Sequence, residues 1–300
     1  MFQRAIHIFI LVLLFKKLSC TAQNNDTIPN YKFRKTFTSS STIIAYTGSL
    51  FYLQQIWYKP YHTSNFHFFN DNNEWLLMDK CGHTFTAFYG TYYLNKLFHW
   101  SRYKYSDKLA SAIAFTYLLN IEILDGFSSG WGFSWGDLTA NTLGIALFYT
   151  HQQLQEKLFI PKFSFVQTPY PPLNPALLGN SLSEQILKDY NGQTYWISIT
   201  PFYKWNEKLE WLCLSIGYSI DGVIGARSNS FYRNQIHYDY SNISRQTQWF
   251  LSIDLDFSKI KTKHKWINTF LHTINFIKIP APALEWKGNN LYFRPLLFSN

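Results

Sequence analysis

Charge is scarce in this chain. Only 15% of its 300 residues are Asp, Glu, Lys or Arg, against about a quarter in an ordinary soluble domain. Hydrophobic residues supply 47%, enough for a core, which excludes a disordered chain. Long apolar runs are missing too. None of the helical segments below offers eighteen clean apolar residues, and a mean hydropathy of -0.17 argues against a fully polytopic membrane protein. Cysteine is nearly absent. Cys20, Cys81 and Cys213 form no C-x-x-C pair and no disulfide framework. There is no zinc-finger spacing, no RNP-type motif and no long Lys/Arg tract, so no nucleic-acid partner is expected. H-E-x-x-H does not occur, which removes the commonest zinc-hydrolase signature. No cofactor is expected.

What is plentiful is aromatic. Phe, Trp and Tyr make up 20% of the chain, with 11 Trp, and the formal net charge is +9. Amphipathic rings and thinly spread positive charge suit an anionic membrane surface, which is the expected partner. The first residues fit export. Arg4 precedes an apolar run from Ile8 to Phe15, followed by small residues at Cys20 and Ala22, as in a signal peptide over 1–22. Lys16 and Lys17 interrupt that pattern, so an uncleaved anchor is the alternative. A lipidated Cys20 is another, although Lys17 stands where a lipoprotein signal wants an aliphatic residue.

The rest of the chain divides by period. Residues 41–155 read as a bundle of about four apolar helices, over 41–58, 79–98, 106–126 and 134–158. Ser134-x-x-Asp137 is a capping-box pattern at the start of the fourth. Residues 156–190 are Pro-rich and read as an extended linker. Residues 191–300 read as β-rich. In "WLCLSIGYSI" and "QWFLSIDLDFSKI", large apolar residues alternate with small or acidic ones. A half-buried antiparallel sheet packed on the helices is the preferred reading, and barrel strands with a lipid-facing side are the alternative. Lys259, Lys261, Lys263 and Lys265 precede one amphipathic helix bearing Trp266, Phe270, Ile274 and Ile277. Such a helix lies in a membrane interface or covers the sheet. The fold class is therefore α+β.

Polar residues set in apolar helices are the candidate site. Asp79 and His83 are four apart on the second helix and share a face with Gly90 nearby. Glu122 and Asp125 share a face of the third; Asp137, Asn141 and Gly144 share one of the fourth. Asp79 is suited to cap its helix. A buried carboxylate must be paired, protonated or metal-bound, and His83 is the natural partner for Glu122. A structural network is the first reading, with Asp79, Lys80, Asn141 and Gly144 supporting it. In the second, His83 is a general base oriented by Glu122, with Asp125 and Asp137 beside them. A metal is not expected, although one His and three carboxylates would suit Mn or Fe.

These blocks resemble the YfiM-like family of predicted periplasmic lipoproteins, a domain of unknown function. The shared features are Asp79-Lys80-x-x-His83, then Glu122-x-x-Asp125, then "SGWGFSWGDLTANTLG", over roughly residues 75–150. The C-terminal part resembles the extension of longer members of Bacteroidetes type. Asp137, Asn141 and Gly144 are also distantly similar to VanZ-like membrane proteins. The resemblance implies an envelope location and no particular activity.

Overall fold

The computed structural model describes residues 30–59, 62–154, 159–201, 206–233 and 235–296. The signal-peptide and Cys20 expectations lie outside the described residues. The described residues form two compact units, those of 30–69 with 86–148 and those of 70–85 with 149–296.

The first unit is helical. Its elements are α1 (Tyr31–Leu53), most of α2 (Met78–Trp100), α3 (Ser106–Gly126) and most of α4 (Trp135–Gln153). α1 begins ten residues before the helix read from the sequence. Its buried stripe is Thr38, Thr42 and Tyr46, spaced four apart as one helical face requires. Hydroxyl-bearing residues make that stripe, so a search for apolar periodicity passes over its first half. The hydroxyls have partners. Thr38 hydrogen-bonds Ser101, Ser39 meets the Tyr103 hydroxyl at 2.8 Å, and the Asn120 amide donates to the Tyr46 hydroxyl. Around them Tyr46, Phe98, Ala110 and Ile113 form the apolar core. At the head of α4 the Asp137 N–H donates to Ser134 Oγ at 3.0 Å, the N-cap that the capping-box spacing requires.

Among the described residues, the second unit carries the β structure together with α5 (Pro175–Leu178), α6 (Leu182–Lys188) and α7 (Lys265–Thr273). Six strands form one antiparallel sheet in the order β1-β2-β3-β6-β7-β8, with β4-β5 a separate hairpin. They are β1 (Phe159–Phe165), β2 (Gln193–Ile199), β3 (Leu212–Asp221), β4 (Ser230–Arg233), β5 (Ile236–Asp239), β6 (Gln246–Leu255), β7 (Ala283–Lys287) and β8 (Asn290–Arg294). The residues read as a Pro-rich linker thus contain a strand and two short helices. Pro161 fits because β1 is an edge strand, where a missing N–H breaks few ladder bonds. The amphipathic helix is present as α7, ending in a 3-10 turn over Ile274–Phe276.

The sheet differs from the expected packing in the sense of its faces. The sequence led us to expect the large apolar side chains inside. Instead the small and polar face is buried: Ser198, Ser215, Ser219, Ser252, Asp254 and Glu285 are inside. The close approach of strands explains the small residues there. A Cβ at Gly217 would stand 2.6 Å from the Trp196 ring, so only glycine admits that indole.

Candidate functional site

In the helical unit, α3 and α4 bring two carboxylates together. Glu122 is fully buried (0% exposed) and Asp137 nearly so. Their oxygens lie within 4.8 Å. The Asn141 amide, one turn beyond Asp137, donates to Glu122 Oε1 at 3.3 Å. Two carboxylates so close and so dry resist ionising together, and a shared proton or a nearby cation relieves that. Asp125 faces a different partner. The Tyr58 hydroxyl donates to its Oδ1 at 2.6 Å. Burial first, and then the Asp125 charge, push the Tyr58 phenol far up. Gly144 is buried on the same helix as Asp137.

In the second unit, the first turns of α2 carry Asp79, Lys80 and His83. Asp79 does not cap α2. The helix begins at Met78, so Asp79 lies in its first turn, where a negative charge still suits the helix dipole. Lys80 Nζ bridges Asp79 Oδ2 at 2.9 Å and Asp71 Oδ1 at 2.7 Å. Asp79 Oδ1, shielded from solvent, accepts no hydrogen bond among the described residues. Burial raises the Asp79 carboxyl above its ordinary value, with Lys80 and, more weakly, His83 opposing. His83 is half-buried. Beside this group, Arg227 Nε donates to Glu74 Oε1 at 3.0 Å. Gly90 does not mediate a close approach, since a Cβ there would meet nothing within 4 Å. Gly82 does, with the Tyr195 hydroxyl 3.0 Å from where its Cβ would stand. The Cys81 thiol is free and burial pushes it up to about 11, which makes it a poor nucleophile.

Three residues before α2 form a left-handed turn: Trp75, Leu76 and Leu77 have φ of 49°, 50° and 67°. Each costs about 1 kcal/mol or more for an L-residue. The turn is held by the Trp75 N–H to Ala226 O at 2.9 Å and by the Tyr218 hydroxyl to Leu76 O at 2.6 Å. It aims the Asp79-to-His83 face.

Residues 67–153 match the family model described as predicted periplasmic lipoprotein (DUF2279). That stretch holds all of α2, α3 and α4 and every residue of the expected constellation. It supports the periplasmic-lipoprotein part of the resemblance drawn from the sequence. The protein is accordingly a cell-envelope protein, periplasmic or membrane-associated. No curated protein and no solved structure matches the chain.

Several polar groups escaped the sequence reading. Asp71, Glu74 and Arg227 lie in loops, where solvated charges are ordinary and carry no signal. Lys162 and Lys278 had one. Each is a lone cation in an apolar run, "FIPKFSF" and "FIKIP", and both side chains are fully buried on Asp254.

Proposed function

We propose that the chain is a structural or accessory envelope protein, membrane-associated, rather than an enzyme. In this reading His83, Glu122, Asp125 and Asp137 belong to buried polar networks that fix the helices. Asp79, Lys80, Asn141 and Gly144 complete them. The observation that carries it is the zero exposure of both Glu122 and Asn141. A carboxylate sealed from solvent and held by an amide of a neighbouring helix locks geometry, and no substrate atom reaches it. The finer kinship, a long YfiM-like member with distant VanZ-like features, is part of this proposal.

The opposing reading is a hydrolase or transferase acting on a lipid or cell-wall intermediate. The proximity of Glu122 and Asp137 favours it, because neighbouring carboxylates split their pKa values as acid-base pairs do. One experiment separates the two. Glu122→Gln and His83→Ala should each lower stability by about 1–3 kcal/mol and lower abundance in cells to match. A variant that keeps wild-type melting temperature and abundance yet loses its cellular phenotype would overturn the structural reading.

A further inference from the structure

We propose that the exposed face of the six-stranded sheet is seated in the hydrocarbon of a lipid bilayer. This deepens the membrane-association part of the reading above and is independent of what Glu122 does.

The sheet is apolar on its exposed face, while its buried face mixes a cluster of Trp196, Phe250 and Ala283 with serines and enclosed ions. One cross-strand row runs Ile197, Ile216, Leu251, Leu284 and Phe293, each paired with the next in register. These five are 41–65% exposed. The next row toward the other strand ends is Ile199, Leu214 and Ile253, with Ile199 and Ile253 also exposed. On the opposite side the row is Tyr218, Trp249, Trp286 and Leu291. The aliphatic rows are thus edged on one side by the exposed rings of Trp249 and Trp286, amphipathic side chains suited to the level of lipid headgroups.

The reverse face has the matching polarity. Lys162 Nζ sits 3.0 Å from Asp254 Oδ2, and Ser198 Oγ donates to the same oxygen at 2.8 Å. Lys278 Nζ donates to the Ile253 and Ile279 carbonyls, both at 2.9 Å. Further along, the face lines an open polar pocket with Ser164, Thr194, Ser219, Gln248, Glu285 and Arg294. A sheet in water buries its apolar side; this one buries salt bridges and presents Ile, Leu and Trp. A face of this kind on a lone soluble domain is an aggregation liability.

Charge complementarity selects lipid over a protein partner. At the end of β6 away from the aromatic row, the chain passes into Lys259, Lys261, Lys263 and Lys265. It then enters α7, whose Trp266 and Phe270 are both exposed. A basic, Trp-bearing amphipathic helix at the border of an apolar band meets anionic headgroups where the band meets hydrocarbon.

The test uses the full chain, its native cysteines replaced by alanine, in vesicles of phosphatidylethanolamine and phosphatidylglycerol. Nitroxide labels are placed singly at Ile216→Cys, Leu251→Cys and Ile253→Cys, with Lys261→Cys as the aqueous reference. Flotation first reports whether the protein associates with the vesicles. Collision with oxygen and with a water-soluble nickel chelate then reports what touches the label. We expect the three sheet positions to gain oxygen collisions and lose nickel collisions relative to Lys261→Cys. Nickel access at all three would mean water, and exclusion of both reagents would mean a protein cover, a second copy or the chain's own N-terminal segment. Either result overturns the seated face, and does so with membrane association intact if the protein still floats. Should the cysteine-free background fail to fold, acyl-brominated lipids serve instead. They should quench wild-type Trp fluorescence more than that of the Trp249→Phe, Trp286→Phe variant, and equal quenching would sink the proposal.

Discussion

At the scale of single residues, Asp79 makes the pH dependence of this protein readable. Burial is the main cause raising its carboxyl, and Lys80 offsets only part. Glu74 is raised by burial in the same way, against Arg227. A raised carboxyl means that the folded chain takes up the proton more readily than the unfolded one. Stability contributed by such a group is therefore highest at low pH and falls as pH rises from the ordinary carboxyl value through the raised one. Asp79→Asn removes that group's share. Thermal melts from about pH 4 to about pH 8 should show a shallower decline in the variant, with its advantage greatest at the alkaline end. An unchanged slope would place the Asp79 carboxyl at its unfolded value. Leu77 offers a second handle. It is 49% exposed and held at φ 67°, where a Cβ is unfavourable. Leu77→Gly should stabilise by up to about 1 kcal/mol in urea denaturation. The same change at Leu143, 53% exposed inside α4, should cost about 1 kcal/mol. A loss at both positions would mean that the left-handed turn carries no strain.

At the scale of elements, the buried triad of Lys162, Asp254 and Lys278 ties β1, β6 and the segment before β7 together. All three side chains are fully enclosed. Asp254→Asn leaves two buried ammonium groups without their counter-charge, which should cost about 3–5 kcal/mol. Replacing the three together by Leu, Met and Met should recover most of that loss, because the desolvation penalty disappears with the charges. Guanidinium melts of the two variants give the comparison, and equal stabilities would show that the loss does not come from the stranded ammonium groups. The triad also marks what could be read in advance. Period-two alternation located β3 and β6, and the Ser134 capping pattern located the start of α4. Alternation says which residues share a face, but it does not say which face turns inward, because burial is decided by what the sheet packs on. The rule that apolar goes inside therefore chose the wrong side for Ile216 and Leu251. Lys162 and Lys278, the two cations in apolar runs, carried the correcting signal. The candidate site was legible at the level of membership. His83, Glu122 and Asp137 stood out as polar groups among apolar neighbours, and Asn141 followed from its spacing. Their loop partners were not legible, since Asp71, Glu74 and Arg227 meet only through the left-handed turn at Trp75–Leu77, a backbone path that no propensity rule favours.

At the scale of the whole molecule, the low overall charge and its local concentration serve different ends. The chain carries +9, and four of its lysines stand within seven residues at 259–265, ahead of an amphipathic helix with exposed Trp266 and Phe270. If hydrocarbon covers the sheet face, apolar contact supplies most of the binding, and the lysines set its dependence on lipid charge and salt. Each basic residue near an anionic surface contributes about 1 kcal/mol at moderate ionic strength, and the attraction fades over a Debye length. Replacing Lys259, Lys261, Lys263 and Lys265 together by Gln should therefore weaken capture by phosphatidylglycerol vesicles by about two orders of magnitude or more in low salt. Capture by neutral phosphatidylcholine vesicles should hardly change, because the apolar face remains. Leu251→Asp with Ile253→Asp should do the reverse: loss on both lipids, with the salt dependence kept. Flotation at two salt concentrations, with circular dichroism to establish that each variant is folded, reads both effects in one experiment. If the lysine variant lost binding to neutral vesicles as fully as the aspartate variant does, the two surfaces would not act as separate terms, and the basic helix rather than the sheet would be the membrane anchor.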